Sequence, residues 1–128
     1  MTQEDKELIF KELCARLPYH VKCKIWLKDG TTEECLLDLQ HNYGNVLQDA
    51  FYYNKIKDIK PYLFPLSIMT EEEKEEYCQL QQRVIYNSKG VINEDVTKYI
   101  NWCYKKHLDI NNLIPMELAI DATGLNIY

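Results

Sequence analysis

Val21-Lys22-Cys23-Lys24-Ile25-Trp26-Leu27-Lys28-Asp29-Gly30, continued by Thr31-Thr32-Glu33-Glu34-Cys35-Leu36-Leu37-Asp38-Leu39, decides the fold. Val21, Cys23, Ile25 and Leu27 alternate with Lys22, Lys24, Trp26 and Lys28, the period of a strand with one oily face. Cys35, Leu37 and Leu39 repeat the pattern after Asp29-Gly30. The turn sets the register. A two-residue Asp29-Gly30 loop would oppose Cys23 to Leu36 and put the two apolar sets on opposite faces, since a one-residue slip inverts every side chain. A three-residue loop, Lys28-Asp29-Gly30, opposes Cys23 to Cys35 and Val21 to Leu37. It places Gly30 in the left-handed position of a bulged turn, which glycine tolerates best. The expectation is a bulged hairpin over residues 20–39.

Upstream, Thr2 caps a helix with acidic residues in its first turn, where the helix dipole favours them. Ile9, Leu13 and Leu17, with Phe10 and Cys14, share one face, and Pro18 ends the helix. Downstream, Asn42-Tyr43-Gly44-Asn45 reads as a turn, Val46 to Tyr53 as a third strand and Ile56 to Ile59 as a fourth. Pro61 and Pro65 then impose an extended path through Tyr62, Leu63 and Phe64.

Thr70 and Glu73 form a capping box that starts a helix with an apolar stripe at Tyr77, Leu80 and Val84. Asn93 caps a last long helix, on which Val96, Ile100, Cys103 and His107 share a face. Leu113 to Ala119 reads as a short helix. The fold class is therefore α+β: residues 1–128 form a single domain. Its small antiparallel sheet, the bulged hairpin plus one or two further strands, packs against an N-terminal helix and two C-terminal helices.

Composition narrows the setting. With 128 residues the chain is long enough for one core and short for two. No apolar run is long enough to span a bilayer as a helix, and the polar start Met1-Thr2-Gln3-Glu4-Asp5-Lys6 has no signal-peptide character. The expected address is the cytoplasm of whichever cell makes the chain. The five cysteines are odd in number and contain no C-x-x-C, so in a reducing compartment they read as small core residues. A net charge of −5 disfavours duplex nucleic acid, whose binding needs clustered bases that displace counterions.

Three blocks carry a resemblance. Leu13-Cys14-Ala15-Arg16-Leu17-Pro18-Tyr19, Ile59-Lys60-Pro61-Tyr62-Leu63-Phe64-Pro65-Leu66-Ser67-Ile68-Met69-Thr70-Glu71-Glu72-Glu73, and His107-Leu108-Asp109-Ile110 through Leu118-Ala119-Ile120 resemble a group of small uncharacterised proteins. These come from Bacteroides-type gut bacteria and their phages and prophages. The resemblance implies a phage or mobile-element setting and brings no catalytic residues with it.

Candidate chemistry is sparse. Cys103 and His107, four apart on the expected helix, could share a metal, but no second ligand pair accompanies them, and two core-facing residues is the plainer reading. Cys23 and Cys35 are cross-strand neighbours close enough in principle for a bridge, which a reducing cytoplasm disfavours. His20, His41 and His107 are scattered, and no nucleophile elbow, Walker loop or dinucleotide fingerprint is present. No catalytic residue, metal ligand or cofactor is assigned. Trp26 lies on the lysine face of the hairpin beside Lys24 and Lys28. With Tyr52, Tyr53 and Tyr62 it makes a candidate aromatic and basic ligand-binding surface, weighed against Trp26 simply packing under a helix or under the Pro-containing segment. The leading expectation is a nonenzymatic accessory protein acting through a protein partner, with homodimer formation through the hairpin edge or apolar tail as one form. The alternative is a binder of nucleotides or single-stranded nucleic acid, and a small hydrolase is third.

Overall fold

A computed structural model describes residues 2–38, 56–86 and 93–128. The elements are α1 (Gln3–Arg16), β1 (Val21–Leu27), β2 (Thr32–Leu37), β3 (Ile56–Leu63), α2 (Glu71–Tyr86), α3 (Asn93–Lys105) and β4 (Ile120–Asp121). Short 3-10 turns at Leu17–Tyr19 and Leu66–Ile68 connect them. The sheet order is β2-β1-β3-β4. The architecture is α+β as the sequence implies, with one difference. β4 pairs parallel to β3, so the sheet is mixed rather than wholly antiparallel.

The hairpin register is the bulged one. Val21 opposes Leu37 and Cys23 opposes Cys35. Leu27 N–H donates to the Thr31 carbonyl at 2.9 Å, Gly30 N–H donates to the Leu27 carbonyl at 3.1 Å, and Gly30 sits at φ 90°. A side chain at Gly30 would be strained for its backbone angle and not for lack of space.

β3 is longer than the sequence suggests, continuing from Ile59 through Pro61 to Leu63. Proline is tolerated inside it for a geometric reason. The Leu63 carbonyl accepts from Ala122 N–H, so Leu63 and, two residues back, Pro61 turn their backbone groups away from β1. Pairing with β4 starts only at Tyr62, so the N–H that Pro61 lacks has no partner to disappoint. Lys57 is the extra residue of a bulge, because Trp26 opposes Asp58 while Leu27 opposes Ile56.

The core lies on one face of this sheet. Val21, Cys23 and Ile25 of β1, Leu37 of β2 and Ile59 and Leu63 of β3 meet Ile9, Leu13 and Leu17 from α1. Leu113, Leu118 and Ala119 complete it from the segment after α3. That segment is a series of turns and not the short helix expected over Leu113 to Ala119. The Asp109 carboxylate holds it by accepting from the backbone N–H groups of Leu113 and Ile114, both at 2.8 Å. This provides the donors' partners without a helix.

Capping boxes start α1 at Thr2 and Asp5 and α2 at Thr70 and Glu73. α2 and α3 pack mainly on each other. Tyr77 meets Tyr99 and Trp102 at centroid distances of 5.7 and 6.2 Å, and the Trp102 indole donates to Glu76 at 2.8 Å. The stripe residues Tyr77, Leu80 and Val84 are accordingly only half-buried. The expected strand over Val46 to Tyr53 falls outside the described residues.

Candidate functional site

On the sheet face opposite the core, register alone assembles a row. Glu34, Lys24 and Lys60 stand side by side across β2, β1 and β3, and Trp26 lies two residues further along β1. The Lys24 ammonium is 5.4 Å from the centre of the Trp26 ring, and the Lys60 ammonium is 5.6 Å from it. Both are cation–π distances, worth about 0.5–1 kcal/mol each where solvent is near. Trp26, Lys24 and Lys60 are all half-buried.

Electrostatics make this row unusual. Two lysines directly opposed in a sheet repel each other and cost stability. Glu34 stands opposite Lys24, and its carboxylate accepts the Tyr62 hydroxyl at 2.8 Å. Burial, with the neighbouring Glu34 charge adding to it, pushes the Tyr62 phenol up to about 12. No ion pair joins Lys24 or Lys60 to a carboxylate among the described residues. The result is a half-buried indole with two ammonium groups at cation–π distance, neither in an ion pair among those residues.

The other expected members of this surface are placed differently. Lys28 is exposed in the turn. Tyr62 is only 4% exposed, so its ring offers no stacking face. Tyr52 and Tyr53 lie outside the described residues. Lys60, which the sequence reading did not include, takes the place beside Trp26. Its signal was the register of β3, readable only once the strand is known to run through Pro61.

A second cluster was not anticipated. Arg16 is wholly buried, and its guanidinium bonds the Glu12 carboxylate, Nε to Oε1 at 2.8 Å with a second nitrogen at 2.6 Å. It also donates to the Leu108 carbonyl at 2.7 Å and lies 4.6 Å from the Tyr104 ring centre. Asn111 donates to the other Glu12 oxygen at 2.8 Å. This ties α1 to the chain after α3. The sequence signal was Glu12 and Arg16, four apart, each immediately preceding a residue of the Leu13/Leu17 stripe.

Beside it, the His107 ring stacks on Tyr128 at 3.5 Å and 10°, with His20 5.3 Å from His107. α3 ends at Lys105, so His107 is not on the helix with Cys103 as expected. His107 N–H donates to the Tyr104 carbonyl and Leu108 N–H to the Cys103 carbonyl, a helix stop with His107 at φ 57°. His20 is at φ 52° and ψ 152°, a region that otherwise belongs to glycine. Burial first, then the neighbouring His20 and Arg16, lowers His107 to about 4. Among the described residues no group of three or more His, Cys, Asp or Glu side chains is placed to hold a metal.

An open cavity of about 250 Å³ lies between Phe64, Ile68, Met69 and Leu108, with Glu73 and Lys106 at its wall. Those two charges pair at 3.2 Å. No helix among the described residues is long and apolar enough to cross a membrane. No family model, curated protein or solved structure matches this chain.

Proposed function

We propose that the protein is a nonenzymatic binding protein, an accessory of a phage or mobile element, that engages an acidic protein partner through the Trp26 face of its sheet. One observation carries this reading: Lys24 and Lys60 oppose each other beside a half-buried Trp26. A folded chain that retains a repulsive pair next to an aromatic anchor gains a docking point for carboxylates. Tryptophan side chains are frequent energetic centres of protein contacts.

A protein partner fits better than a polyanion. Both ammonium groups sit at cation–π distance from the indole, where a stacked base would have to displace them. The chain's net charge of −5 also repels a long run of phosphates. The second reading, a nucleotide or short single strand, keeps one specific observation in its favour, the indole flanked by two bases.

Tryptophan emission separates the two. The chain has two tryptophans, so a Trp102→Phe variant reports Trp26 alone. Titration with a glutamate-rich peptide is expected to change Trp26 emission, and the change is expected to vanish in Lys24→Ala/Lys60→Ala. A response to oligothymidylate or nucleotides and not to the peptide transfers the proposal to the second reading. Silence with all of them removes the surface from consideration.

A further inference from the structure

The hairpin brings two cysteines face to face, and the binding surface does not use them. Cys23 and Cys35 are direct register partners on the core side of β1 and β2. The hydrogen bond from Leu27 N–H to Thr31 fixes the alternation along the hairpin, so Cys23 and Cys35 form a hydrogen-bonded pair. Residues so paired have Cα atoms about 5.5 Å apart. That separation lies inside the range a disulfide spans without moving the backbone.

The two thiols are unequal. Cys23 is wholly buried, whereas Cys35 is half-exposed and packs against the rim of the core. The Cys23 thiol beside it lowers Cys35 from the ordinary thiol value. Burial raises Cys23. The reachable sulfur is thus also the better thiolate, and the second sulfur waits beside it. The remaining cysteines, Cys14, Cys78 and Cys103, lie on helices.

We propose that Cys23 and Cys35 form a peroxide-reactive dithiol, with Cys35 attacking and Cys23 resolving, that closes a reversible disulfide across the hairpin. The Cys35 thiolate attacks one oxygen of hydrogen peroxide. The O–O bond breaks, hydroxide leaves and takes up a proton as water, and Cys35 becomes a sulfenic acid. Cys23 then gives up its proton as its sulfur attacks that of Cys35. The S–O bond breaks, and the departing hydroxide takes the proton. Two thiols and one peroxide yield one disulfide and two waters: sulfur is oxidised and peroxide reduced. A dithiol reductant reverses the bridge by exchange, ending as a disulfide itself while both cysteines regain their protons.

The test is peptide mapping after graded hydrogen peroxide, on a Cys78→Ser protein so that the exposed thiol on α2 does not join chains. The expected product is a single cross-linked peptide pair containing Cys23 and Cys35, with two free thiols lost and both restored by dithiothreitol. In a Cys23→Ala variant, Cys35 is expected to go on to sulfinic acid because nothing resolves it. The mapping on Cys78→Ser stands even if that core variant fails to fold. Sulfinic acid at Cys35 with Cys23 still alkylatable in the Cys78→Ser protein would overturn the proposal. So would peroxide consumption at Cys14 or Cys103 with Cys35 untouched.

Discussion

Lys24 and Lys60 stand opposite each other in the central ladder of the sheet, with no carboxylate paired to either among the described residues. A pair retained at a cost implies that removing it should help the fold and harm the function. Lys60→Glu turns repulsion into attraction and is expected to stabilise the protein by about 0.2–1 kcal/mol. The same change is expected to abolish the Trp26 response to an acidic peptide. Urea denaturation and fluorescence titration on one preparation check both halves.

The buried ion pair gives a sharper stability test. Arg16→Met leaves the Glu12 carboxylate buried beside Asn111 without its cation. The expected loss is about 3–5 kcal/mol, as for other buried pairs broken on one side. Arg16→Met combined with Glu12→Leu should recover most of it, because no charge is then left stranded. Chemical denaturation of the two single variants and the double variant measures the coupling.

Tyr128 completes the β1–β3 ladder with a side chain. One step past the Cys23 and Pro61 pair, Lys22 N–H donates to the Tyr128 hydroxyl at 2.9 Å. That hydroxyl donates to the Tyr62 carbonyl at 2.8 Å. Tyr128→Phe keeps the stack on His107 and removes both bonds, with an expected cost of about 1–3 kcal/mol. Faster amide exchange at Lys22 should accompany it.

His107 supplies a pH dependence of defined sign. Its folded value of about 4 lies below its ordinary 6.5, so between these values the unfolded chain binds the extra proton. The stabilisation held by the neutral ring is full above pH 6.5 and is lost as pH falls toward 4. His107→Asn tolerates the left-handed backbone and does not titrate. The difference in melting temperature between wild type and variant is expected to shrink across that window. A constant difference would rule out His107 as the titrating group.

How much of this was legible in the sequence follows from which interactions are local. The hairpin register, its Gly30 bulge and both capping boxes depend on residues within a few positions of each other, and side-chain period plus turn chemistry decides them. The Thr70 helix start is of the same kind. Pro61 misled because a proline usually ends a strand. Only the distant β4, reaching no further than Tyr62, shows why this one does not.

His107 misled because a helical period cannot reveal where a helix stops when the stopping residue is not glycine. The segment from Leu113 to Ala119 has a helix-like apolar spacing, yet Asp109 takes its backbone donors first. In the candidate site, Trp26 and Lys24 were readable because they share a strand. Lys60 was not, since its place depends on a pairing across 36 positions of sequence, and Tyr62 is turned aside by the Glu34 carboxylate.

Where an acidic partner lands can be read residue by residue. Backbone amide NMR of the labelled protein, recorded during titration with a glutamate-rich peptide, should shift Lys24, Trp26, Asp58 and Lys60 together. The Trp26 indole signal should move with them and return on adding salt. Shifts confined to α2 or to the residues around Phe64 and Leu108, with the Trp26 indole unmoved, would contradict the account.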